Sequence, residues 1–276
     1  MKKLLLLIVL ITFITVPLDL TAQDKLKGNK IVTTENRYID GFSKLEVNDK
    51  IDVVITQGME QSVNVEADEN LHVAVLTEVR DSTLIINLTK RIVRKKALKV
   101  HVTIDQFINE ISTKDKCDVK SASALKFDQL TINAEGDSSI TLDIQASKFI
   151  LNNNYSANAK LTVNTDNTYI HADKNGKAKI NLSTNHLEAT IRGSSTTNVT
   201  GNCSELYVNA ENRGNFKGES LESNDVIIDA ADNADVQINA KKSIIISAID
   251  SSEIHIYNNP EITLEKFTDK AVLRKK

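Results

Sequence analysis

Four aspartates form the densest acidic cluster of the 276-residue sequence, and their carboxylates are the first candidates for chemistry. They are Asp225, Asp229, Asp232 and Asp235. A bend that gathered three of them could bind Ca²⁺, which prefers several oxygen ligands. Their spacing, however, matches no calcium-binding loop. The cluster therefore predicts a solvated, negatively charged bend, with calcium binding as the alternative.

Carboxylates also serve enzymes that cleave glycans, which need in addition a basic residue and aromatic platforms for the sugar rings. The sequence contains no Trp, and its tyrosines are dispersed. The five histidines are scattered as well, and none has a second His at the spacing of metal ligands. We therefore predict no catalytic residues, no histidine-based metal site and no cofactor.

The strongest local charge feature is a run of basic residues. It comprises Lys90, Arg91, Arg94, Lys95, Lys96 and Lys99. Cations at this density could contact an anionic envelope polymer, lipid phosphates or an acidic partner. Lysines also protect sheet edges from pairing with other chains, so a solvated hairpin or edge is the alternative interpretation.

A repeat of about 19 residues in the sequence indicates the strands on which these side chains lie. Its apolar centre recurs at Ile132, Leu151, Ile170, Ala189, Val208, Ile228 and Ile246. Small residues follow each centre at a fixed offset, and apolar residues alternate with polar ones. This alternation indicates strands with one buried face, and the constant repeat length indicates stacking. The sequence therefore predicts an all-β fold, a right-handed parallel β-helix (solenoid) with about 19 residues per coil.

A polar column follows the apolar centres by one residue and includes Asn133, Asn152 and Asn209. Stacked asparagines can hydrogen-bond along the solenoid axis, which stabilises the fold without any ligand. A long, regular polar face would also suit adhesion. The sequence leaves both interpretations open.

The repeat also divides the chain into segments. Residues 37–105 alternate like strands but lack the repeat, and we expect them to form N-terminal strands that cap the coils. Regular coils are predicted over residues 106–265, so that one domain spans residues 37–265. We expect a linker over residues 23–36 and a C-terminal tail over residues 266–276, which helps to close the other end.

Charge and cysteine content narrow the function classes. A formal net charge of −3 provides no general attraction to nucleic acid. Two cysteines are too few for a disulfide-dense scaffold. Cys117 and Cys203 would lie about four coils apart, which is farther than a disulfide can span. We therefore expect two unpaired thiols.

Residues 1–22 have the features of a secretory signal peptide. Two lysines precede an apolar run from Leu4 to Val16 that only Thr12 and Thr15 interrupt, and small residues end the segment at Ala22. The run is too short for a comfortable membrane span, and no second such stretch follows. We expect cleavage after Ala22 and a protein exported to the periplasm, the cell surface or the medium without a transmembrane span. A retained N-terminal anchor is the alternative.

The residues from Gly41 to Val47, followed by those from Ile51 to Gly58, resemble the opening signature of a known family. This is the auto-transporter adhesin family with the head GIN domain, which comprises exported proteins of Bacteroidetes and related bacteria. The resemblance extends over residues 37–262 and includes Ile256–Pro260. It implies a right-handed β-helix in the cell envelope with an adhesive role, and it supplies no catalytic residues.

Members of that family usually carry Gly at many repeat bends, where this sequence has asparagines. They are Asn154, Asn212, Asn258 and Asn259. Asparagine also tolerates the left-handed conformation, so we expect the bends to be kept.

These observations together predict a non-enzymatic, exported cell-envelope protein. It would bind an envelope polymer, a glycan or a protein through the outer face of its β-helix, and no nucleic acid. The alternative from another class is a glycan-active β-helix enzyme similar to a polysaccharide lyase, which requires a deep groove with convergent carboxylates. A structural cell-wall component without a specific ligand is the third interpretation.

Overall fold

The computed structural model describes residues 25–276, and strands dominate it. They account for 68% of the structure, and within the described residues the single helix is a short 3₁₀ helix, Glu69–Ala74. The predicted signal peptide at residues 1–22 lies outside this range. Between residues 25 and 276, no helix is long and apolar enough to cross a membrane.

The N-terminal part of the molecule consists of nine strands around the 3₁₀ helix. They are β1 (Lys25–Lys27), β2 (Val32–Arg37), β3 (Lys44–Val47), β4 (Asp52–Gln57), β5 (Ser62–Asp68), β6 (Val75–Arg80), β7 (Thr83–Leu88), β8 (Arg91–Arg94) and β9 (Leu98–Ile104).

Thirteen strands follow, several of them much longer. They are β10 (Glu110–Thr113), β11 (Asp118–Ser121), β12 (Leu125–Lys126), β13 (Gln129–Ala134), β14 (Ser139–Asn153), β15 (Asn158–Ala172), β16 (Lys177–Ile191), β17 (Thr196–Ala210), β18 (Asn215–Ala230), β19 (Asp235–Ala248), β20 (Glu253–Tyr257), β21 (Glu261–Phe267) and β22 (Val272–Lys275).

The strands wind into a parallel β-solenoid of about nine turns with about 19 residues per coil. Leu151 of β14 pairs in parallel with Ile170 of β15, which in turn pairs with Ala189 of β16. All three residues are buried. The apolar centres of the repeat are therefore stacked over one another inside the molecule, which confirms the predicted solenoid and its repeat length.

Each long strand passes through two sheets and one bend. In β15, buried positions alternate from Ala159 to Thr165, and the alternation then resumes at Thr168. The two exposed residues between the threonines mark the bend, because a strand with period two cannot expose two successive side chains. The hydroxyls of Thr165 and Thr168 are 2.7 Å apart and hydrogen-bond inside the bend.

Two consecutive spacings depart from the common repeat length. The spacing is 20 residues between Val208 and Ile228 and 18 between Ile228 and Ile246. The register of β18 shifts against β17 between Asn198 and Thr200, and it shifts again against β19. The extra residue is therefore absorbed as a β-bulge in β18, which leaves the neighbouring coils in register.

The N-terminal strands extend the same stack, but in an order that differs from the order along the chain. Leu45 of β3 pairs with Ile111 of β10 on one side and with Leu84 of β7 on the other. Strand β4 likewise lies between β11 and β9 in the second sheet. Antiparallel strands end both sheets: β6 pairs with β7, and β5 pairs with β9 and β2.

A tight turn closes each coil, and it contains one residue in the left-handed conformation. Asn212 has this conformation, with φ at 61°, in agreement with the expectation for the asparagines. In the coil of Asn154, however, the left-handed residue is Tyr155, with φ at 59°, and in the next coil it is Lys174, with φ at 61°. The stacking register therefore sets the position of the turn, even where the residue type disfavours it.

The column of small residues follows directly after these turns and is buried. At Gly176, an added Cβ would lie 2.2 Å from the backbone oxygen of Asn153 in the preceding coil. At Gly214, it would lie 2.2 Å from the oxygen of Ile191. The neighbouring coil thus leaves little room for a side chain, which explains the column.

The C-terminal strands form a last coil. Strands β21 and β22 pair in parallel with β19 and β20. Ile262 and Leu264 are 44% and 49% exposed because no further coil of the described chain covers them. Glu265 forms a bulge in β21, since Leu264 and Lys266 pair with consecutive residues of β19. Bulges and charged residues protect such an edge from pairing with other strands.

Candidate functional site

The basic run lies in a cleft at the N-terminal end of the solenoid. Strand β8, Arg91–Arg94, carries part of the run and pairs in parallel with β1. The cleft has a volume of about 1220 Å³. All residues of the run except one line it: Lys90, Arg91, Arg94, Lys95 and Lys96. The exception is Lys99 of β9, which lies opposite Asp52 of β4 in the strand register of the second sheet.

Four lysines from other parts of the chain complete the cleft. They are Lys27, Lys30, Lys50 and Lys116. Lys50 and Lys116 come from the tight turns of two neighbouring coils, between β3 and β4 and between β10 and β11. No motif in the sequence connects these positions, because they become neighbours only when the coils stack. The cleft thus collects positive charge from four separate segments.

Two aspartates also line the cleft, and backbone amides satisfy both. Asp49 accepts a hydrogen bond from the N–H of Leu88 at 2.8 Å. Asp68 is fully buried and accepts hydrogen bonds from the N–H groups of Lys30, Lys96 and Ala97 at 2.9–3.0 Å. These carboxylates therefore organise the walls of the cleft and leave most of its cations without a carboxylate partner.

Asp68 connects the segment between β1 and β2 to the basic loop after β8. Burial acts to raise the pKa of Asp68, but hydrogen bonds from Ala97, Lys30 and Lys96 and the charge of Lys96 outweigh it, and the pKa is lowered. Gly28 packs against this carboxylate, since an added Cβ would lie 1.9 Å from Asp68 Oδ2. A glycine at position 28 therefore permits the close approach of the two segments.

Replacing Asp68 by Asn is expected to lower the free energy of unfolding by about 2–3 kcal/mol at neutral pH, because the amide NH₂ cannot accept the hydrogen bond of Lys30. Since the folded-state pKa of Asp68 is lowered, its stabilisation is present above the unfolded-state pKa of about 4 and is lost as the pH falls through the folded-state value. Chemical denaturation at a series of pH values measures this difference.

The matched control is Asp40→Asn, which changes an exposed aspartate by the same atoms. It should alter the free energy of unfolding by less than about 0.5 kcal/mol. A difference between wild type and Asp68→Asn that stayed constant down to pH 2 would contradict the role of the ionised carboxylate.

Lys95 is the cleft residue whose charge the surroundings disturb most clearly. Desolvation lowers the pKa of Lys95; the charge of Asp52 opposes this shift and the charge of Lys50 adds to it. Burial at the cleft therefore makes the charged form of Lys95 less favourable.

A second, shallow groove crosses the outer face of five consecutive coils. Polar side chains line it: Ser121, Thr141, Asp143, Lys160, Thr162, Lys179, Asn181, Asn198 and Thr200. Parallel register aligns them, as Thr141 pairs with Lys160 and Lys160 with Lys179. Both lysines are exposed. The groove therefore presents at least one polar side chain from each coil, with hydroxyl, amide, ammonium and carboxylate groups among them.

The predicted asparagine column forms a hydrogen-bonded ladder at its N-terminal end. Asn152 Nδ2 donates to Asn133 Oδ1 at 2.8 Å, and Asn133 Nδ2 donates to Glu110 Oε1 at 3.1 Å. This geometry supports the structural interpretation of that part of the column, because the amides are used within the fold.

The four aspartates of the acidic cluster each have partners of their own. Asp225 accepts from Ser243, Asp232 from the N–H of Asn212, and Asp235 from Gln237. Asp229 accepts from the Tyr207 hydroxyl at 2.6 Å, and this bond, with burial, raises the pKa of Tyr207 to about 12. Within residues 25–276, no three His, Cys, Asp or Glu side chains are placed to hold a metal ion.

Both cysteines are free and buried. Cys117 occupies the column of small residues, one coil before Ser138, and desolvation raises the pKa of its thiol to about 12. Cys203 lies at the other bend, where its Sγ is 3.3 Å from the Ser223 hydroxyl. Two protonated, buried thiols are unsuited to nucleophilic chemistry.

Solved structures with a similar fold come from Parabacteroides species. A putative adhesin from Parabacteroides merdae is 18% identical with a TM-score of 0.68, covering 92% of this chain and 99% of the other. A putative adhesin from Parabacteroides distasonis is 18% identical with a TM-score of 0.61, covering 91% and 100%. A putative lipid binding protein from the same species is 16% identical with a TM-score of 0.59, covering 92% and 100%.

No curated protein matches the chain. One family does match it, over residues 41–181 and 151–260, and these two ranges together include most of the solenoid. The resemblance of the sequence to this family is thereby confirmed. The chain belongs to the family described as "Putative auto-transporter adhesin, head GIN domain".

Proposed function

We propose that this chain is an exported, adhesin-like protein of the cell envelope that acts by binding and not by catalysis. Its partner is an extended polar polymer, a glycan in the first place, which lies along the outer groove. The family and its solved relatives, which are named as adhesins, support the adhesin-like role.

The observation that carries this proposal is the repetition of polar groups along the groove. Every one of the five coils contributes one or two polar side chains to the groove, and successive coils are about 4.8 Å apart. A polymer with a polar repeating unit can make similar contacts at every step, so that many weak hydrogen bonds add up. Between residues 25 and 276, no carboxylate lies within 4.0 Å of Lys160 or Lys179, so both ammonium groups are available to a partner.

A glycan array probed with the purified, labelled chain tests this function. Binding to at least one glycan is expected, and the double variant Lys160→Ala, Lys179→Ala should weaken it about tenfold. The matched control is Lys241→Ala with Lys242→Ala, which removes two charges from another bend of the solenoid. Absence of binding to every glycan, or equal loss in both double variants, would contradict the proposal. Release of unsaturated oligosaccharides from a bound glycan would instead establish the lyase alternative.

A further inference from the structure

We infer that the basic cleft at the N-terminal end of the solenoid is a second binding site, which takes clustered phosphate groups of a lipid headgroup or of a free polyphosphate. This site goes beyond the proposed function, because it shares no residue with the outer groove.

Several cations of the cleft have no carboxylate beside them in the described part of the chain. Among residues 25–276, no carboxylate lies within 4.0 Å of the side-chain nitrogens of Lys27, Lys50, Arg91, Arg94 or Lys95. A folded protein gains little from holding these cations together, since like charges repel one another across a cleft with low-dielectric walls. An anion bound between them removes this repulsion.

The fold keeps the two aspartates that line the cleft from neutralising its cations. The two aspartates at the cleft are engaged by backbone N–H groups, Asp49 by Leu88 and Asp68 by three donors. Neither carboxylate can turn towards the cations without leaving amides unpaired. Lys95 is partly desolvated, and this burial lowers its pKa although the charge of Asp52 opposes the shift. The positive potential of the cleft is therefore a stable property of the folded chain.

The size of the cleft and the number of its cations indicate which kind of anion fits. Arginine and lysine from separate segments converge on a space of about 1220 Å³, which is larger than a single small anion requires. A phosphate group offers several acceptor oxygens and up to two negative charges, so that it can accept hydrogen bonds from more than one of these side chains. Several adjacent phosphates match the number of cations better than isolated carboxylates do.

The cleft also has apolar walls. Leu88, Ile92 and Val93 line it beside the cations, and Val93 is 48% exposed. Apolar surface next to a phosphate site suits a headgroup that continues into glycerol or an acyl chain. This feature favours the lipid source over free polyphosphate, and the experiment separates the two.

The test compares two probes on the purified chain. Calorimetric titration with tripolyphosphate reports the free anion, and flotation with phosphatidylcholine vesicles, with or without phosphatidic acid, reports the lipid headgroup. The triple variant Arg91→Ala, Arg94→Ala, Lys95→Ala should bind about a hundredfold more weakly. The control Lys242→Ala, Lys266→Ala, Lys270→Ala loses the same charge at exposed positions outside both sites and should bind like wild type.

A variant with Arg91→Lys and Arg94→Lys, which keeps the charge, guards against a folding defect and should retain most of the binding. Flotation with phosphatidic acid vesicles, with competition by tripolyphosphate, supports the lipid source, whereas binding of tripolyphosphate alone supports the free one. Failure to bind either probe overturns the inference, and so does equal loss in the control. Polyglutamate that binds as tightly as tripolyphosphate overturns the assignment to phosphate.

Discussion

Replacing Gly201 by alanine is expected to lower the free energy of unfolding by about 3 kcal/mol or more. Gly201 has φ at 111°, a conformation that residues with a side chain rarely adopt. An added Cβ would also lie 2.0 Å from the carbonyl oxygen of Leu182 in the preceding coil. Since this neighbour is backbone, it cannot rotate away. Thermal unfolding followed by circular dichroism should show a fall of about 10 °C.

Gly41→Ala is the matched control for this substitution. The nearest atom to a Cβ at position 41 is Gln61 Oε1 at 3.9 Å, and the φ angle lies outside the left-handed region. The midpoint of unfolding should therefore change by less than about 2 °C. If both glycine variants unfolded at the wild-type temperature, the tight approach of the coils at Gly201 would be wrong.

Replacing Phe216 by alanine should cost about 3–5 kcal/mol. Phe216 is fully buried between Thr197 of the preceding coil and Val236 of the next. Because both neighbours are small, removal of the ring leaves a cavity that the rigid stack cannot close. Urea denaturation measures the loss.

Phe107→Ala provides the comparison. Phe107 is 71% exposed, and the substitution removes the same atoms from a surface loop. It should change the urea midpoint only slightly. A solenoid is stabilised mainly by contacts between neighbouring coils, so the Phe216 variant should also increase amide hydrogen exchange most strongly in β17, β18 and β19. Uniform acceleration over the whole chain would contradict this local interpretation.

The coil architecture was predictable because its signal is repeated. Ile132, Leu151 and Ile170 are aliphatic residues at the same spacing, and each of them pairs with the next in the structure. Even the less regular spacing of 21 residues from Ile111 to Ile132 corresponds to a direct pairing. Repetition averages out the local ambiguity that limits the interpretation of a single strand.

The order of the N-terminal strands was not predictable from the same pattern. Leu84 lies outside Leu45 in the stack although it follows Leu45 in the chain. A search for a constant spacing detects only coils that stack in chain order, and here the antiparallel strands β5 and β6 interrupt that order. The left-handed conformation of Tyr155 could not be predicted for a related reason, because the stacking of the coils and not the residue type determines where the turn lies.

In the candidate sites, too, features that are contiguous in the sequence could be predicted, and features that depend on the stacking of coils could not. The run from Lys90 to Lys96 was visible in the sequence because it is contiguous. Its enlargement by Lys50 and Lys116 was not, because these residues are neighbours only through the pairing of β3 with β10. The alternation of apolar and polar residues predicted polar outward positions, whereas the alignment of Thr141, Lys160 and Lys179 in one groove follows from the pairing of successive coils.

The stacking of coils is the central claim on which both sites depend, and distances between spin labels test it most directly. Lys120, Lys160, Lys217 and Arg274 occupy one outward column, linked by successive parallel pairings. With the two native cysteines replaced by serine, labels at positions 120 and 217 should lie about 24 Å apart, and labels at 120 and 274 about 38 Å, in steps of about 4.8 Å per coil. Two distances in this ratio, measured by double electron–electron resonance, are the predicted result. Distances that did not grow with the number of intervening coils would contradict the solenoid and, with it, both binding sites.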